Sequence, residues 1–139
     1  MNLLFICTGN SARSQMAEGL INYFYNDKFE AFSGGTKPSK VNPYAIKVMK
    51  EIGIDISSHR SKSFTEFYGK EIDIAVTVCD NAKKVCPIFP GAKLNLHNTF
   101  IDPADAKGTD KEILNVFRTV RDQIKDWIEK NLIDEKTSN

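Results

Sequence analysis

The chain has 139 residues, of which 41% are hydrophobic and 27% are charged, so it can bury the core of one compact domain. Its formal net charge of +1 excludes a bulk polyanion-binding surface, and we expect neither nucleic acid nor a membrane as a partner. We predict a single domain over residues 1–133 and a frayed, charged tail over residues 134–139.

The cysteine count and the apolar runs bear on the compartment. Three cysteines are an odd number, which argues against a disulfide framework and favours metal binding or catalysis. No apolar run reaches the length of a membrane span, and the short run at residues 3–6 lacks the basic flank of a signal peptide. We therefore expect a cytoplasmic protein, and we expect it to be a monomer.

Several segments have the periodicity of strands or helices. In chain order we predict a strand at residues 3–6, a helix at about 13–26, a strand at about 29–33, a helix from 42 to 53, a strand at 72–78, a strand at 93–98 and a helix that starts at 109. The pair Gly34-Gly35 is predicted to form a turn after the second strand. Asn42 before Pro43 is an N-cap signal, and residues 109–112 fit a capping box.

Strands that alternate with helices predict an α/β fold with a parallel sheet and right-handed crossovers. The first and third strands are the most apolar and belong in the middle, whereas the second and fourth alternate with polar residues and belong at the edges. The predicted strand order is therefore 2-1-3-4, with helices on both faces of the sheet. Such sheets bind ligands beyond the carboxyl ends of the strands, here at the switch point between the first and third strands.

The turn after the first strand has the composition of an anion-binding loop. Cys7 ends the strand, and Arg13 follows after five residues, so the N–H groups between them can surround one tetrahedral oxyanion. Gly9 and Asn10 tolerate the left-handed backbone that a tight turn needs, and the Arg13 guanidinium can grip the oxyanion bidentately. The predicted oxyanion-binding residues are Thr8, Gly9, Asn10, Ser11, Ala12 and Arg13.

Cys7 is the predicted nucleophile. The helix N-terminus, the loop N–H groups and Arg13 favour a negatively charged sulfur, and Ser14 can donate a further hydrogen bond to it. A buried structural cysteine is the alternative, since free cysteine is among the most buried residue types. The glycine, asparagine, serines and arginine around Cys7 favour catalysis, because a structural cysteine needs none of them. Asn10, Glu18 and Ser33 are predicted to brace the loop by hydrogen bonds.

Residues 6–18, Ile-Cys-Thr-Gly-Asn-Ser-Ala-Arg-Ser-Gln-Met-Ala-Glu, resemble the active-site loop of the low-molecular-weight protein tyrosine phosphatase superfamily, and most closely its thioredoxin-coupled arsenate reductase branch. The resemblance covers nearly the whole chain and implies the same strand order. It also implies that the chain binds arsenate or a phosphate-like oxyanion and reduces arsenate to arsenite. Thioredoxin would then supply the reducing equivalents, with no tightly bound cofactor.

Two further cysteines follow the third strand. If the first and third strands are neighbours, Cys7 and Cys79 end roughly 5 Å apart, at about disulfide distance, which makes Cys79 a candidate resolving thiol. A small buried residue that closes the strand is the alternative for Cys79. Cys86 follows across a polar segment in which Lys83 and Lys84 favour a thiolate. The resemblance implies a relay in which Cys7 attacks arsenate, Cys79 attacks Cys7, and Cys86 attacks Cys79, leaving a disulfide for thioredoxin.

Asp102 before Pro103 favours a second activity. It follows the fourth strand, at the same sheet edge as Cys7, and it resembles the acid loop of the phosphatases. A low-molecular-weight protein tyrosine phosphatase that uses Cys7, Arg13 and Asp102 is therefore the alternative function. In a reductase, Asp102 would manage protons on the arsenate oxygens or on the attacking thiol. An ordinary turn residue before a proline is the other interpretation of Asp102.

A third interpretation is a metal-binding or sensor domain with Cys7, Cys79, Cys86 and His97 as ligands. The six residues between Cys79 and Cys86 exceed the close spacing of structural zinc sites. His97 belongs to an edge strand, where a surface position is expected, and His59 is expected to form hydrogen bonds within a loop. We therefore predict no metal site.

Two positions depart from the pattern of the family. Ala12 stands where many members carry another cysteine, so no thiol from that position takes part. Some reductases bind potassium behind the loop, with a carboxylate near the position of Lys62. A lysine at this position argues against a potassium site.

Overall fold

The computed structural model describes residues 1–78 and 88–133. The strands are β1 (Asn2–Cys7), β2 (Glu30–Gly35), β3 (Ile74–Thr77) and β4 (Leu94–His97). The α-helices of the described residues are α1 (Arg13–Phe24), α2 (Pro43–Lys50) and α3 (Asp110–Ile128). Short 3₁₀ turns lie at Phe64–Phe67 and Pro103–Asp105, and a π-helical turn at Glu129–Ile133 follows α3.

The strands form one parallel sheet in the order β2-β1-β3-β4, which confirms the predicted order. β1 is buried along nearly its whole length, whereas most of β4 is exposed, and this contrast follows from their different hydrophobic patterns. At the carboxyl edge of the sheet, Cys7 lies beside Gly35. Ile6 lies beside Thr77, which in turn lies beside His97. The loops that follow β1, β3 and β4 therefore start from the same edge.

Different elements cover the two faces of the sheet. Alternate residues of a strand point to opposite faces, and Leu3 and Phe5 belong to the core shared with α1, α2 and α3. Leu4 and Ile6 belong to a second cluster on the other face, together with the phenyl rings of the turn Phe64–Phe67. Among the described residues, three α-helices cover the first face, and a 3₁₀ turn covers part of the second.

The predicted turn at Gly34 and Gly35 is wrong, because both glycines are the end of β2. A Cβ at Gly34 would lie 2.5 Å from Phe64 Cα. A Cβ at Gly35 would lie 2.5 Å from the carbonyl oxygen of Thr8. The two glycines therefore allow the backbone to approach closely at the end of a strand, which is the other known use of glycine in sheets.

Two parts of the sequence prediction lie outside the described residues. Residues 79–87 contain Cys79 and Cys86, the two predicted resolving thiols. Residues 134–139 are the predicted frayed tail. Within the described ranges, none of the helices combines the length and the apolar character needed to cross a membrane.

Candidate active site

Neighbouring segments hold the carbonyl groups of the loop between β1 and α1. The acceptors and their donors are Cys7 O with Thr36 N, Thr8 O with Lys37 N, Gly9 O with Ser39 N and Ser61 Oγ, Asn10 O with Gln15 Nε2, and Ser11 O with Asn42 N. The N–H groups of residues 9–12 have no acceptor in the described part of the chain. The loop therefore offers donors at the N-terminus of α1, which is the arrangement that binds an oxyanion.

Asn10 connects this loop to three other segments. Its φ of 46° lies in the left-handed region, as the sequence predicts for this turn. Its Oδ1 accepts hydrogen bonds from Lys62 N and Gln15 Nε2, both at 3.0 Å, so the other amide atom is the donor. That nitrogen donates to Ser14 Oγ at 2.8 Å and to Ser33 Oγ at 2.9 Å.

The Asn10 amide and the Cys7 sulfur both form hydrogen bonds with Ser14. The sulfur of Cys7 lies 2.8 Å from Ser14 Oγ, and both side chains are buried. Because Ser14 Oγ already accepts a hydrogen bond from Asn10, its own hydrogen is free to point at the sulfur. Ser14 can therefore donate to a Cys7 thiolate, which cannot donate itself, and such a bond stabilises the thiolate more than the thiol.

Arg13 and Asp102 form an ion pair next to the loop. The guanidinium is 3% exposed, and its Nη2 lies 3.2 Å from Asp102 Oδ2. Its Nη1 donates to the carbonyl oxygens of Phe100 at 3.2 Å and Val78 at 3.4 Å. The other carboxylate oxygen of Asp102 accepts a hydrogen bond from Ala104 N at 3.0 Å and caps the turn Pro103–Asp105. Arg13 is thus fixed by Asp102 and by the backbone that follows β3 and β4.

Cys7, Arg13 and Asp102 line one cavity of about 210 Å³. Its remaining walls are Thr8, Gly9, Ser11, Ala12, Ser39 and Ala104. No aromatic side chain of the described residues lines the cavity, and the sequence of residues 79–87 contains no aromatic residue. The arrangement can hold a tetrahedral oxyanion against the sulfur of Cys7, with the Asp102 carboxylate in the same cavity.

The family model for the low molecular weight phosphotyrosine protein phosphatases matches residues 2–137. The chain belongs to this family. It is 48% identical over 122 residues to an arsenate reductase of Halalkalibacterium halodurans, a match that covers 88% of each chain. A solved arsenate reductase in the phosphate binding state has a TM-score of 0.80 and 34% identity, covering 96% of this chain and 97% of that one. A low molecular weight protein tyrosine phosphatase from T. tengcongensis has a TM-score of 0.76 and 28% identity, covering 97% and 99%.

Behind the phosphatase loop, which we define as residues 7–13, the structure brings together the three residues predicted to brace it. Asn10 donates to Ser33 Oγ, and Ser33 Oγ donates to Glu18 Oε1 at 2.6 Å. Glu18 also lies 3.6 Å from His59 Nδ1 and 3.9 Å from Lys62 Nζ. The phosphatase loop is thus connected to a partly buried group of charged side chains.

Sequence reasoning misses several contacts of the phosphatase loop. Gln15 donates to Asn10 from the first turn of α1, and the short spacing between these two polar residues is a signal that could have found it. Ser39 and Ser61 reach Gly9 O from distant segments. Ala104 enters the cavity because it follows Asp102 in a 3₁₀ turn. No local pattern indicates these last three contacts, since they depend on tertiary packing.

His97 is not part of the cavity that the phosphatase loop lines. Its Nδ1 lies 2.8 Å from Thr77 Oγ1, and its Nε2 lies 3.0 Å from Thr99 Oγ1, so hydroxyl groups engage both ring nitrogens. Within residues 1–78 and 88–133, no three cysteine, histidine or acidic side chains cluster in a way that could hold a metal ion. His59 forms a hydrogen bond with Gln15 Oε1 at 2.9 Å, which confirms the role predicted for this loop residue.

We expect Gly35→Ala to damage the phosphatase loop. The new methyl group would meet Thr8 O at 2.5 Å and Asn10 N at 2.8 Å, both backbone atoms. Overpacking of this kind lowers the free energy of unfolding by about 1–3 kcal/mol and here also displaces the oxyanion donors. Thermal unfolding and the protection of Cys7 by phosphate against iodoacetamide measure the two effects.

Gly69→Ala is the matched control for this change. Gly69 has a φ of +86° and nothing within 4 Å of an added Cβ, so alanine costs about 1 kcal/mol in backbone strain without a clash. It should lower stability while leaving phosphate protection of Cys7 intact. Full protection in Gly35→Ala would show that the close approach at Gly35 does not shape the loop.

Proposed function

We propose that this chain reduces arsenate to arsenite with its own thiols. The observation that carries the proposal is the cavity in which the Cys7 sulfur, the Arg13 guanidinium and the N–H groups of the phosphatase loop meet. Arsenate and phosphate are both tetrahedral oxyanions, so a site of this design accepts either. The arsenate reductase of H. halodurans at 48% identity and the arsenate reductase solved in the phosphate binding state support this function.

In the first proposed step, the Cys7 thiolate attacks arsenic, and one protonated oxygen leaves as water. Ser14 and the N-terminus of α1 stabilise the thiolate before attack. Arg13 and the loop N–H groups stabilise the negative charge on the arsenate oxygens. Asp102 lies beside Arg13 in the same cavity and is the proposed donor of the proton to the leaving oxygen.

In the second proposed step, the Cys79 thiolate attacks the Cys7 sulfur. A disulfide forms, and the S–As bond breaks with its electron pair on arsenic, which leaves as arsenite. Cys86 then attacks Cys79, and Cys7 is released as a thiolate. Two thiols have been oxidised to one disulfide, which balances the two-electron reduction of arsenic(V) to arsenic(III).

The pairing of β1 with β3 supports a role for Cys79. Ile6 is paired with Thr77, and Val78 N donates a hydrogen bond to Ile6 O at 2.8 Å, so the backbone just before Cys79 lies against the end of β1. The chain continues from Val78 directly into Cys79, and Cys86 follows seven positions later. The strand pairing thus places Val78, the last described residue before Cys79, at the sheet edge where Cys7 lies, which supports the proposed attack of Cys79 on Cys7.

The relay also favours a partner and a compartment. A dithiol protein such as thioredoxin is the proposed reductant of the final disulfide, because thiol–disulfide exchange needs an accessible second thiol to complete it. All three thiols must start reduced, and the cytoplasm keeps thiols in that state. We propose that a monomer is sufficient, since every catalytic group comes from the one catalytic domain of residues 1–133. No tightly bound cofactor takes part in these steps.

Hydrolysis of phosphate esters is the second candidate function, and the position of Asp102 favours it. A general acid beside Cys7 and Arg13 is what a phosphatase of this family needs to protonate a leaving alkoxide. The small walls formed by Ser39 and Ala104 offer no aromatic surface to an aryl group, which favours a bare oxyanion as substrate.

The two functions are separated by a thioredoxin-coupled arsenate assay run beside an aryl phosphate assay on one preparation. Arsenate turnover supports the proposal, and aryl phosphate turnover alone contradicts it.

We expect Asp102→Asn to slow aryl phosphate hydrolysis by about 10²-fold while weakening phosphate binding much less. A general acid acts on the leaving group in the transition state, whereas binding depends on Arg13 and the loop N–H groups. The measurements are kcat for para-nitrophenyl phosphate and the inhibition constant of inorganic phosphate. Asp105→Asn is the matched control, because Asp105 is an exposed carboxylate in the same turn. Hydrolysis by Asp102→Asn at the rate of the Asp105→Asn control would remove Asp102 from the mechanism.

A further inference from the structure

Behind the phosphatase loop, Glu18 carries a carboxylate that is only 14% exposed. An ionised carboxylate at this depth is costly unless a positive charge lies nearby. Lys62 is similarly buried, with 12% of its side chain exposed, and its Nζ lies 3.9 Å from Glu18 Oε1. A hydrogen bond from Nζ to Arg60 O at 3.1 Å holds the ammonium in this position. Lys62 therefore acts on Glu18 as a fixed charge.

Glu18 is one end of a hydrogen-bond chain whose other end is Cys7. From Asn10, one branch runs through Ser33 Oγ to the Glu18 carboxylate. The other branch runs through Ser14 Oγ to the Cys7 sulfur. When Cys7 is a thiolate and Glu18 a carboxylate, every hydrogen of both branches points away from Asn10, toward the anion at each end. An ionised Glu18 can only accept hydrogen bonds, so the Ser33 hydroxyl donates to it. The Ser33 oxygen is then available to accept the hydrogen bond from Asn10.

Among the described residues, two groups that can carry a positive charge face Glu18, His59 and Lys62. His59 Nδ1 lies 3.6 Å from Oε2, but it also forms a hydrogen bond of 2.9 Å with Gln15 Oε1, which a neutral ring can donate. Lys62 is an ammonium at neutral pH, although burial lowers its pKa below the usual value for lysine. Lys62 is thus the group that balances Glu18 whatever the protonation of His59.

We propose that the Lys62 ammonium is a built-in monovalent cation that balances Glu18 and so maintains the hydrogen bonds that favour the Cys7 thiolate. The inference rests on the proposed role of Cys7 as the nucleophile. A potassium ion does not fit beside Glu18 here, because the Lys62 ammonium already provides a positive charge at this carboxylate and would repel a second cation. Lys62 is therefore a positioning residue, and the activity of this chain is independent of potassium.

The test measures the alkylation rate of Cys7 by iodoacetamide, located by peptide mass mapping so that Cys79 and Cys86 do not interfere. In choline chloride, Lys62→Met should alkylate about tenfold more slowly than the unmodified protein. In potassium chloride at the same concentration, about 0.1 M, the rate should return to within about twofold of the unmodified protein. The unmodified protein should react equally fast in both salts.

Two further variants sharpen the test. Lys93→Met removes an ammonium that pairs with Asp73 at 3.2 Å near the opposite edge of the sheet, and its alkylation rate should match that of the unmodified protein. Lys62→Gln provides a second neutral variant if the methionine variant fails to fold, which thermal unfolding in both salts will show. It should show the same loss and the same recovery with potassium.

Equal rates for the neutral Lys62 variants and the unmodified protein in choline chloride would overturn the proposal. A slow rate that potassium does not restore would also overturn it, because a positive charge would then not be what the site requires. Alkylation needs no arsenate, so a failed reductase assay counts against the proposed function and leaves this test unaffected.

Discussion

Replacing Cys7 with serine is expected to abolish both arsenate reduction and aryl phosphate hydrolysis, with a loss of at least about 10³-fold in kcat. The serine hydroxyl is a poor nucleophile at neutral pH, and the hydrogen bond from Ser14 that stabilises a thiolate gives it little help. Phosphate binding should survive, because the loop N–H groups and Arg13 remain. Thioredoxin-coupled turnover and phosphate affinity, measured on the same preparation, test both halves of this expectation.

Arg13→Ala should cause a loss of similar size for a different reason. The guanidinium balances the negative charge of the oxyanion, and its removal also leaves Asp102 without its ion-pair partner at 3.2 Å. Phosphate affinity should therefore fall together with kcat, unlike in Cys7→Ser. Arg118→Ala is the matched control, since this partly exposed arginine of α3 pairs with Glu51 at 2.7 Å and does not line the cavity. Substantial turnover by either active-site variant would contradict the shared cavity for both reactions.

The second large effect is expected at the resolving thiols. With Cys86→Ser, arsenite release should stop after about one equivalent per chain, because the Cys7–Cys79 disulfide has no thiol to resolve it. With Cys79→Ser, even this first equivalent should be absent, since no thiol attacks the Cys7 sulfur. Aryl phosphate hydrolysis should persist in the Cys79→Ser variant, because hydrolysis needs only Cys7, Arg13 and Asp102.

Arsenite counted against enzyme concentration, with peptide mapping of the joined cysteines, measures these outcomes. The same preparations assayed with para-nitrophenyl phosphate serve as the control for folding. Turnover of Cys86→Ser at the rate of the unmodified protein would show that Cys86 is not in the relay. Absence of Cys79 from every mapped disulfide would remove the resolving step.

The sheet order could be predicted because the strands differ strongly in hydrophobicity. Residues 3–6 are uniformly apolar, and β1 is buried on both faces as that pattern requires. β4 alternates apolar and polar residues and lies at an edge. The turn predicted at Gly34 and Gly35 failed because local rules give glycine a turn role. Glycine is needed at these positions because backbone atoms of other segments lie too close for a Cβ: those of Phe64 beside Gly34 and those of Thr8 beside Gly35.

The composition of the phosphatase loop was predictable, but its support was only partly so. Asn10 tolerates a left-handed φ, and a short polar turn before a helix needs such a residue. The side-chain amide of Asn10 forms four hydrogen bonds, and these depend on segments that only the tertiary fold brings together. Its partners are Gln15, Ser14, Ser33 and the backbone of Lys62. The sequence shows that a lysine stands where the resemblance implies a potassium ligand, whereas the burial of Lys62 against Glu18 depends on the tertiary fold.

The most direct test of arsenate reduction by a thiol relay is a stoichiometry measured without any added reductant. Fully reduced enzyme mixed with excess arsenate should release about one arsenite per chain and lose two of its three thiols. Peptide mapping should then find Cys79 joined to Cys86 and Cys7 free. Release of no arsenite, with all three thiols still titratable while the same enzyme hydrolyses aryl phosphate, would contradict the reductase and favour the phosphatase.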